Sequence, residues 1–243
     1  MKFKKTGVYV ALASLLRFMK LMVDSLYMNV TGKNTRQATD KLAKAFGDDM
    51  LALAGATLTV KGQLPPIIPG RSYIIISSHA SHFDIPAVYA GIPLSIRMIA
   101  KKELYDVPLF GIALKNHEFI KLDRQNRTHA MKALAEAKAL METGIVIWAA
   151  AEGTRSRTGE LLPFKKGIFM LAIDAQAIVI PLVIQGTHGI LPSKTWRFSA
   201  DQDVTLTIGT PIDTMNMTAN DRDKLMTDVR SQMEAVFAKK DNV

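Results

Sequence analysis

From Thr57 onward, short apolar runs alternate with stretches of helical pattern, and this alternation constrains the fold more than any other feature. Tyr73–Ser77, Ile145–Ala149 and Ile178–Ile184 read as buried strands, with further strands at Thr57–Lys61, Ser95–Ala100, Phe119–Lys121 and Val204–Ile208. Leu64 to Gly70 is a turn-rich loop. Between the strands, Ile85–Gly91 reads as helical. A longer helix is predicted from an N-cap at Thr128 to near Gly144, with Met131, Leu134 and Met141 facing inward. A closing helix spans about Asp221–Ala238, with Leu225, Val229, Met233, Val236 and Phe237 on one face. Strands alternating with helices imply an α/β fold: a mixed, mostly parallel central sheet flanked by helices. A hydrophobic fraction of 48% supports a sizeable core.

The first 56 residues differ. Lys2, Lys4 and Lys5 precede an apolar run from Gly7 to Leu16, which superficially resembles a secretory leader. Arg17 and Lys20 interrupt the run, and no clear small-residue cleavage site follows. A spanning helix needs about 20 consecutive apolar residues, and this run is too short. Val8, Leu12, Leu15, Met19, Met22 and Leu26 recur at helical spacing and share one face. Such a face can lie in the interface of an anionic membrane or pack on the protein's own core; the basic residues around it favour the membrane. A turn over Asn29–Asn34 leads to a second helix from Thr35 to about Ala54, with Gly47-Asp48-Asp49 a weak point where it could break. The chain is therefore divided into a two-helix docking element, 1–56, and an α/β domain, 57–243.

The net charge of +9 points to anionic partners. Aromatic residues make up only 7% and are not interleaved with basic ones, which argues against nucleic acid. There is no cysteine, so disulfides, a thiolate nucleophile and zinc–sulfur ligation are excluded.

The chemistry concentrates after the Tyr73–Ser77 strand, in Ser78-His79-Ala80-Ser81-His82-Phe83-Asp84. Three readings compete. His79 and His82 could ligate a metal, but three or four ligands are needed, and His117, His129 and His188 show no matching spacing. Ser78 or Ser81 could be a nucleophile, yet neither has the flanking glycines of the hydrolase elbow. Alternatively, His79 is a general base oriented by Asp84. On a regular helix, residues five apart diverge by about 140°, so this pairing requires His79 to sit in the loop before the helix. Cations gather near other predicted strand ends, in Lys101-Lys102, Asp123-Arg124 and Glu152-Gly153-Thr154-Arg155. Strand carboxyl ends are where open α/β sheets place ligands.

Four ordered stretches carry a resemblance. They are His79-x4-Asp84; Lys101, Glu103, Leu104, Pro108, Gly111, Asp123 and Arg124; Glu152-Gly153-Thr154-Arg155-Ser156; and Ile180-Pro181-Leu182. Together they resemble the motifs of the bacterial 1-acyl-glycerol-3-phosphate acyltransferases, over roughly Thr57 to Pro211. The resemblance implies transfer of an acyl chain from acyl-CoA or acyl carrier protein to lysophosphatidic acid, without a metal or other cofactor. It implies His79 as base, Asp84 as its orienting group and Arg155 as the phosphate contact, with Lys101 and Arg124 adding positive charge. Glu152, Gly153 and Thr154 would shape the glycerol side of the pocket. It also implies a peripheral protein docked by its two N-terminal helices on the cytoplasmic face of the inner membrane. Another lysolipid acceptor, or a catalytically silent lipid-binding module, are the alternatives. Two departures stand out: Ser78 replaces the usual asparagine, and Ala150-Ala151 replaces the usual Phe-Pro.

Overall fold

The structure, a computed structural model, describes residues 6–123 and 125–239. Eight strands form one sheet: β1 (Thr57–Lys61), β2 (Tyr73–Ser77), β3 (Ile96–Lys101), β4 (Ile120–Leu122), β5 (Val146–Ala150), β6 (Ile178–Gln185), β7 (Asp203–Ile208) and β8 (Ile212–Asp213). Their order is β1-β7-β6-β2-β5-β3-β4, and β8 adds to β6. The run from β6 through β2, β5, β3 and β4 is parallel, whereas β7 and β8 are antiparallel to β6. The mixed, mostly parallel sheet expected from the sequence is present.

Strand β2 lies between β5 and β6, with Tyr73 opposite both Val146 and Ile178. Both faces of β2 are covered, so all its residues are buried. Tyr73 and Ile75 join a core with helices α2 (Arg36–Ala54) and α3 (Asp84–Gly91). Ile74 and Ile76 face a second core with α5 (Arg127–Glu142), α6 (Lys166–Asp174) and α8 (Arg222–Ala238), where Leu225, Val229 and Met233 are buried. A strand covered on both faces reads as a continuous apolar run rather than an alternation.

Several local expectations need correction. The N-cap before α5 is Asn126, whose side chain accepts the His129 N–H, rather than Thr128. Met141 is buried, but Met131 is 58% exposed, because it lies on the outer face of α5. Helix α2 does not break at Gly47. That glycine is where α2 meets α3: a Cβ there would come within 2.6 Å of the Pro86 carbonyl oxygen. Helices α4 (Phe110–Asn116), α6 and α7 (Thr187–Ile190) add to the set read from sequence.

Helix α1 (Gly7–Val30) begins at Thr6, whose hydroxyl accepts the Tyr9 N–H. It turns polar residues inward: Ser14, Arg17 and Ser25 are buried. Arg17 reaches Asp49 at 2.7 Å and lies over the Phe46 ring. Val8, Leu12, Leu15, Met19 and Leu26 are exposed, and of the predicted apolar face only Met22 is buried. Among the described residues, no helix is long and apolar enough to cross a membrane.

Candidate active site

Parallel neighbours end on the same edge of the sheet, so β2, β5 and β6 deliver their following residues to one place. Those residues are His79, Glu152 and Thr187.

His79 sits in the loop between β2 and α3, and Asp84 is the first residue of α3. His79 Nδ1 lies 2.6 Å from Asp84 Oδ2. The same oxygen accepts the backbone N–H groups of Ala80 at 2.8 Å and Ser81 at 3.0 Å. Asp84 Oδ1 accepts the hydroxyl of Thr187. The carboxylate is fully buried with both oxygens engaged, so its direction is set by four donors from two elements. Because Nδ1 donates to Asp84, the lone pair of neutral His79 resides on Nε2. That atom has no hydrogen-bond partner among the described residues, and the side chain keeps 22% of its surface open. The serines do other work: Ser78 Oγ accepts the Ile184 N–H, and Ser81 Oγ donates to Leu191 O.

The turn after β5 grips the backbone of His79. Glu152 Oε1 accepts the His79 N–H, and Ser156 N–H donates to the His79 carbonyl at 2.7 Å. Glu152 Oε2 accepts the Leu162 N–H, and the side chain is 1% exposed. Burial raises its pKa above the ordinary carboxylate value. Glu152 therefore ties the backbone of His79 to the turn after β5. Gly153 turns the chain with a φ of 67°, and Ala151 donates its N–H to Ser77 O. Thr154 is exposed.

Arg155 is half-buried, and its burial lowers its pKa. Its charge acts on both Asp84 and His82. His82 is pushed down to about 4, first by the protein packed around it, then by Arg155 and His79, and is neutral at physiological pH. Lys101 ends β3, two strands from β2; its exposed ammonium lies 3.3 Å from Glu103. Arg124 lies outside the described residues. The structure thus gathers His79, Asp84, Glu152, Gly153 and Arg155 and leaves Lys101 on a neighbouring strand end. Thr187 was not singled out from the sequence, although its place just past β6, on the ligand-bearing edge, was a usable signal.

Beside this site opens an apolar cavity of about 640 Å³, a size typical of ligand pockets. His82 and Ile85 line it near the His79–Asp84 pair. Phe18, Phe46 and Phe110 line it from α1, α2 and α4.

Fold and site together define a class: an α/β protein with a carboxylate-oriented histidine, its Nε2 open, beside an apolar cavity. The chain belongs to the acyltransferase family, whose model matches residues 57–185. It is 31% identical over 188 residues to 1-acyl-sn-glycerol-3-phosphate acyltransferase alpha of Mus musculus, covering 76% of this chain and 65% of that one. It is 36% identical over 145 residues to 1-acyl-sn-glycerol-3-phosphate acyltransferase of Cocos nucifera, covering 58% of this chain and 46% of that one. The chain thus spans less than two thirds of the length of these curated relatives. Its fold matches the crystal structure of the 1-acyl-sn-glycerophosphate (LPA) acyltransferase PlsC from Thermotoga maritima, with a TM-score of 0.76, 24% identity and 96% of each chain covered.

Proposed function

We propose that this chain transfers a fatty acyl group from an acyl thioester to the free hydroxyl of lysophosphatidic acid, giving phosphatidic acid. The observation that carries the reading is the His79–Asp84 pair, its Nε2 open, set beside an apolar cavity and near Arg155. The kinship with 1-acyl-sn-glycerol-3-phosphate acyltransferases supports the same acceptor.

In this mechanism His79 Nε2 takes the proton of the acceptor hydroxyl as its oxygen attacks the thioester carbonyl carbon. Asp84 stabilises the imidazolium that forms. The tetrahedral intermediate collapses, the carbon–sulfur bond breaks, and the imidazolium returns its proton to the departing thiolate. Arg155 provides a guanidinium fork for the acceptor phosphate, with Lys101 and Arg124 as further cations. Gly153 and Thr154 border the glycerol, and Glu152 acts on that wall through the turn it anchors. The cavity holds acyl chain. The donor is a coenzyme A or acyl carrier protein conjugate. Residues 57–243 form the acyltransferase domain, and residues 1–56 dock it peripherally on an anionic membrane, the cytoplasmic face of the inner membrane.

The test is acyl transfer by purified protein in anionic vesicles, with lysophosphatidic acid and both donor types. Phosphatidic acid is expected, and His79→Ala should lower its rate by about 10²–10⁴-fold, the usual worth of a positioned general base. Product from another lysolipid but not from lysophosphatidic acid would overturn the acceptor assignment and keep the chemistry. Turnover of no acceptor would leave a silent lipid-binding module.

The Ala150-Ala151 departure sets acceptor choice or rate in this reading. Replacing the pair by Phe-Pro removes the N–H that binds Ser77 O at 2.9 Å and adds bulk where Ala151 is fully buried. The double variant should change the rate ratio between lysophosphatidic acid and larger-headgroup acceptors; an unchanged ratio and rate would sink the idea.

A further inference from the structure

Trp196 is the most exposed large apolar side chain of the described residues, at 91%. It is not on a slack loop. Thr195 donates its hydroxyl to Pro192 O at 2.9 Å, and the Thr195 N–H binds the same carbonyl at 3.2 Å. The Arg197 N–H in turn donates to Thr195 Oγ1, and Lys194 holds a φ of +60°. The bonded turn therefore presents the indole outward, between two exposed cations, Lys194 and Arg197. Neither cation is in an ion pair among the described residues.

Its location gives this turn a partner. Trp196 lines the mouth of the apolar cavity together with Leu12 and Leu15 of α1. Two residues on, the Phe198 backbone packs so closely on the start of α1 that a Cβ at Gly7 would fall 2.1 Å from the Phe198 carbonyl oxygen. The exposed apolar side of α1 and the indole thus border one opening. Indole rings concentrate at membrane–water interfaces, where an apolar body and a polar N–H are both accommodated. Lysine and arginine beside such a ring are attracted to anionic headgroups.

We infer that the Pro192–Arg197 turn is a second bilayer contact, separate in sequence from residues 1–56, in which Trp196 enters an anionic lipid interface and Lys194 and Arg197 meet its headgroups. With α1 it brackets the cavity mouth, so that the opening faces lipid. The inference rests on the membrane-docked reading proposed above.

Indole emission tests it, because the only other tryptophan, Trp148, is buried with its Nε1–H bonded to Ser77 Oγ. The probes are vesicles of phosphatidylcholine with and without phosphatidylglycerol, and the same vesicles carrying brominated acyl chains. Phosphatidylglycerol vesicles should shift the emission of the wild-type chain to the blue, and brominated chains should quench it. Trp196→Phe should remove both responses. In cosedimentation, Trp196→Ala should weaken vesicle binding by about tenfold, the effect of losing one partly inserted aromatic ring. Lys194→Glu with Arg197→Glu should weaken it on anionic vesicles more than on neutral ones.

Vesicle binding with unmoved Trp196 emission would overturn this second contact while leaving docking through α1 intact. A shift that follows protein concentration without lipid would assign the surface to a second copy of the chain instead. Failure of the wild-type chain to bind any vesicle would overturn both the contact and the membrane reading, independently of acyl transfer measured in detergent.

Discussion

Thr187 is where residue-scale reading adds most. Asp84 Oδ2 is satisfied by His79, Ala80 and Ser81, so rotation of the carboxylate is resisted at Oδ1 by Thr187 alone among the described residues. Thr187→Val keeps the shape and removes the donor, leaving a buried acceptor unpaired. Under the proposed mechanism, kcat should fall by about tenfold with KM nearly unchanged, because the lost interaction orients the His79–Asp84 pair rather than binding substrate. Thr187→Ser should restore most of the rate; loss of KM instead would assign Thr187 to the pocket. The His79–Asp84 pairing was legible because the two residues stand between a strand and a helix and open a series of ordered motifs, not from their spacing alone. Thr187 was not, since its partner lies more than a hundred positions away and is met only through the register of β6 on β2. Glu152 was singled out as part of the glycerol wall, but its two backbone partners, the N–H groups of His79 and Leu162, could not be read from the sequence.

At the scale of elements, the two N-terminal helices were legible as helices, and the buried side of the first was not. Periodicity finds an apolar stripe on α1 but cannot say whether protein or lipid covers it. Here Ser14, Arg17 and Ser25 point inward. Ser25 Oγ lies 2.7 Å from His117 Nε2, and Thr39 Oγ1 lies 2.8 Å from His117 Nδ1. One imidazole after α4 therefore ties α1 to α2. Burial, then the nearby Arg97 charge, lowers the pKa of His117 below 6.5. The unfolded chain takes up this proton first as pH falls, so the contribution of His117 to stability is present above about 6.5 and lost below it. His117→Phe should cost about 1–3 kcal/mol at pH 7 by leaving the buried Ser25 hydroxyl unpaired and Thr39 with only its bond to Asn34 Oδ1. It should also narrow the gap in denaturant midpoint between pH 7.5 and pH 5. An undiminished gap would place that acid sensitivity elsewhere.

For the whole molecule, the charge of +9 belongs to association more than to fold. Binding to anionic vesicles should weaken steeply between about 0.05 and 0.5 M salt, as the screening length shrinks from beyond 10 Å toward a few ångströms. Neutral vesicles should show little of this dependence, which cosedimentation can follow directly. The α/β class was legible because strands covered on both faces leave unbroken apolar runs. Strand order was not, because nothing local in Tyr73–Ser77 says that its partners are β5 and β6. That distance along the chain has a consequence during synthesis. Tyr73–Ser77 leaves the ribosome as an apolar β-forming segment and finds its first neighbour only when Val146 follows, and its second when Ile178 does. At translation rates of about 5–20 residues per second, the segment waits several seconds with both edges open. Until β6 emerges, the nascent chain carries a strand with an open edge, and its yield in a cell depends on what shields that edge in the meantime.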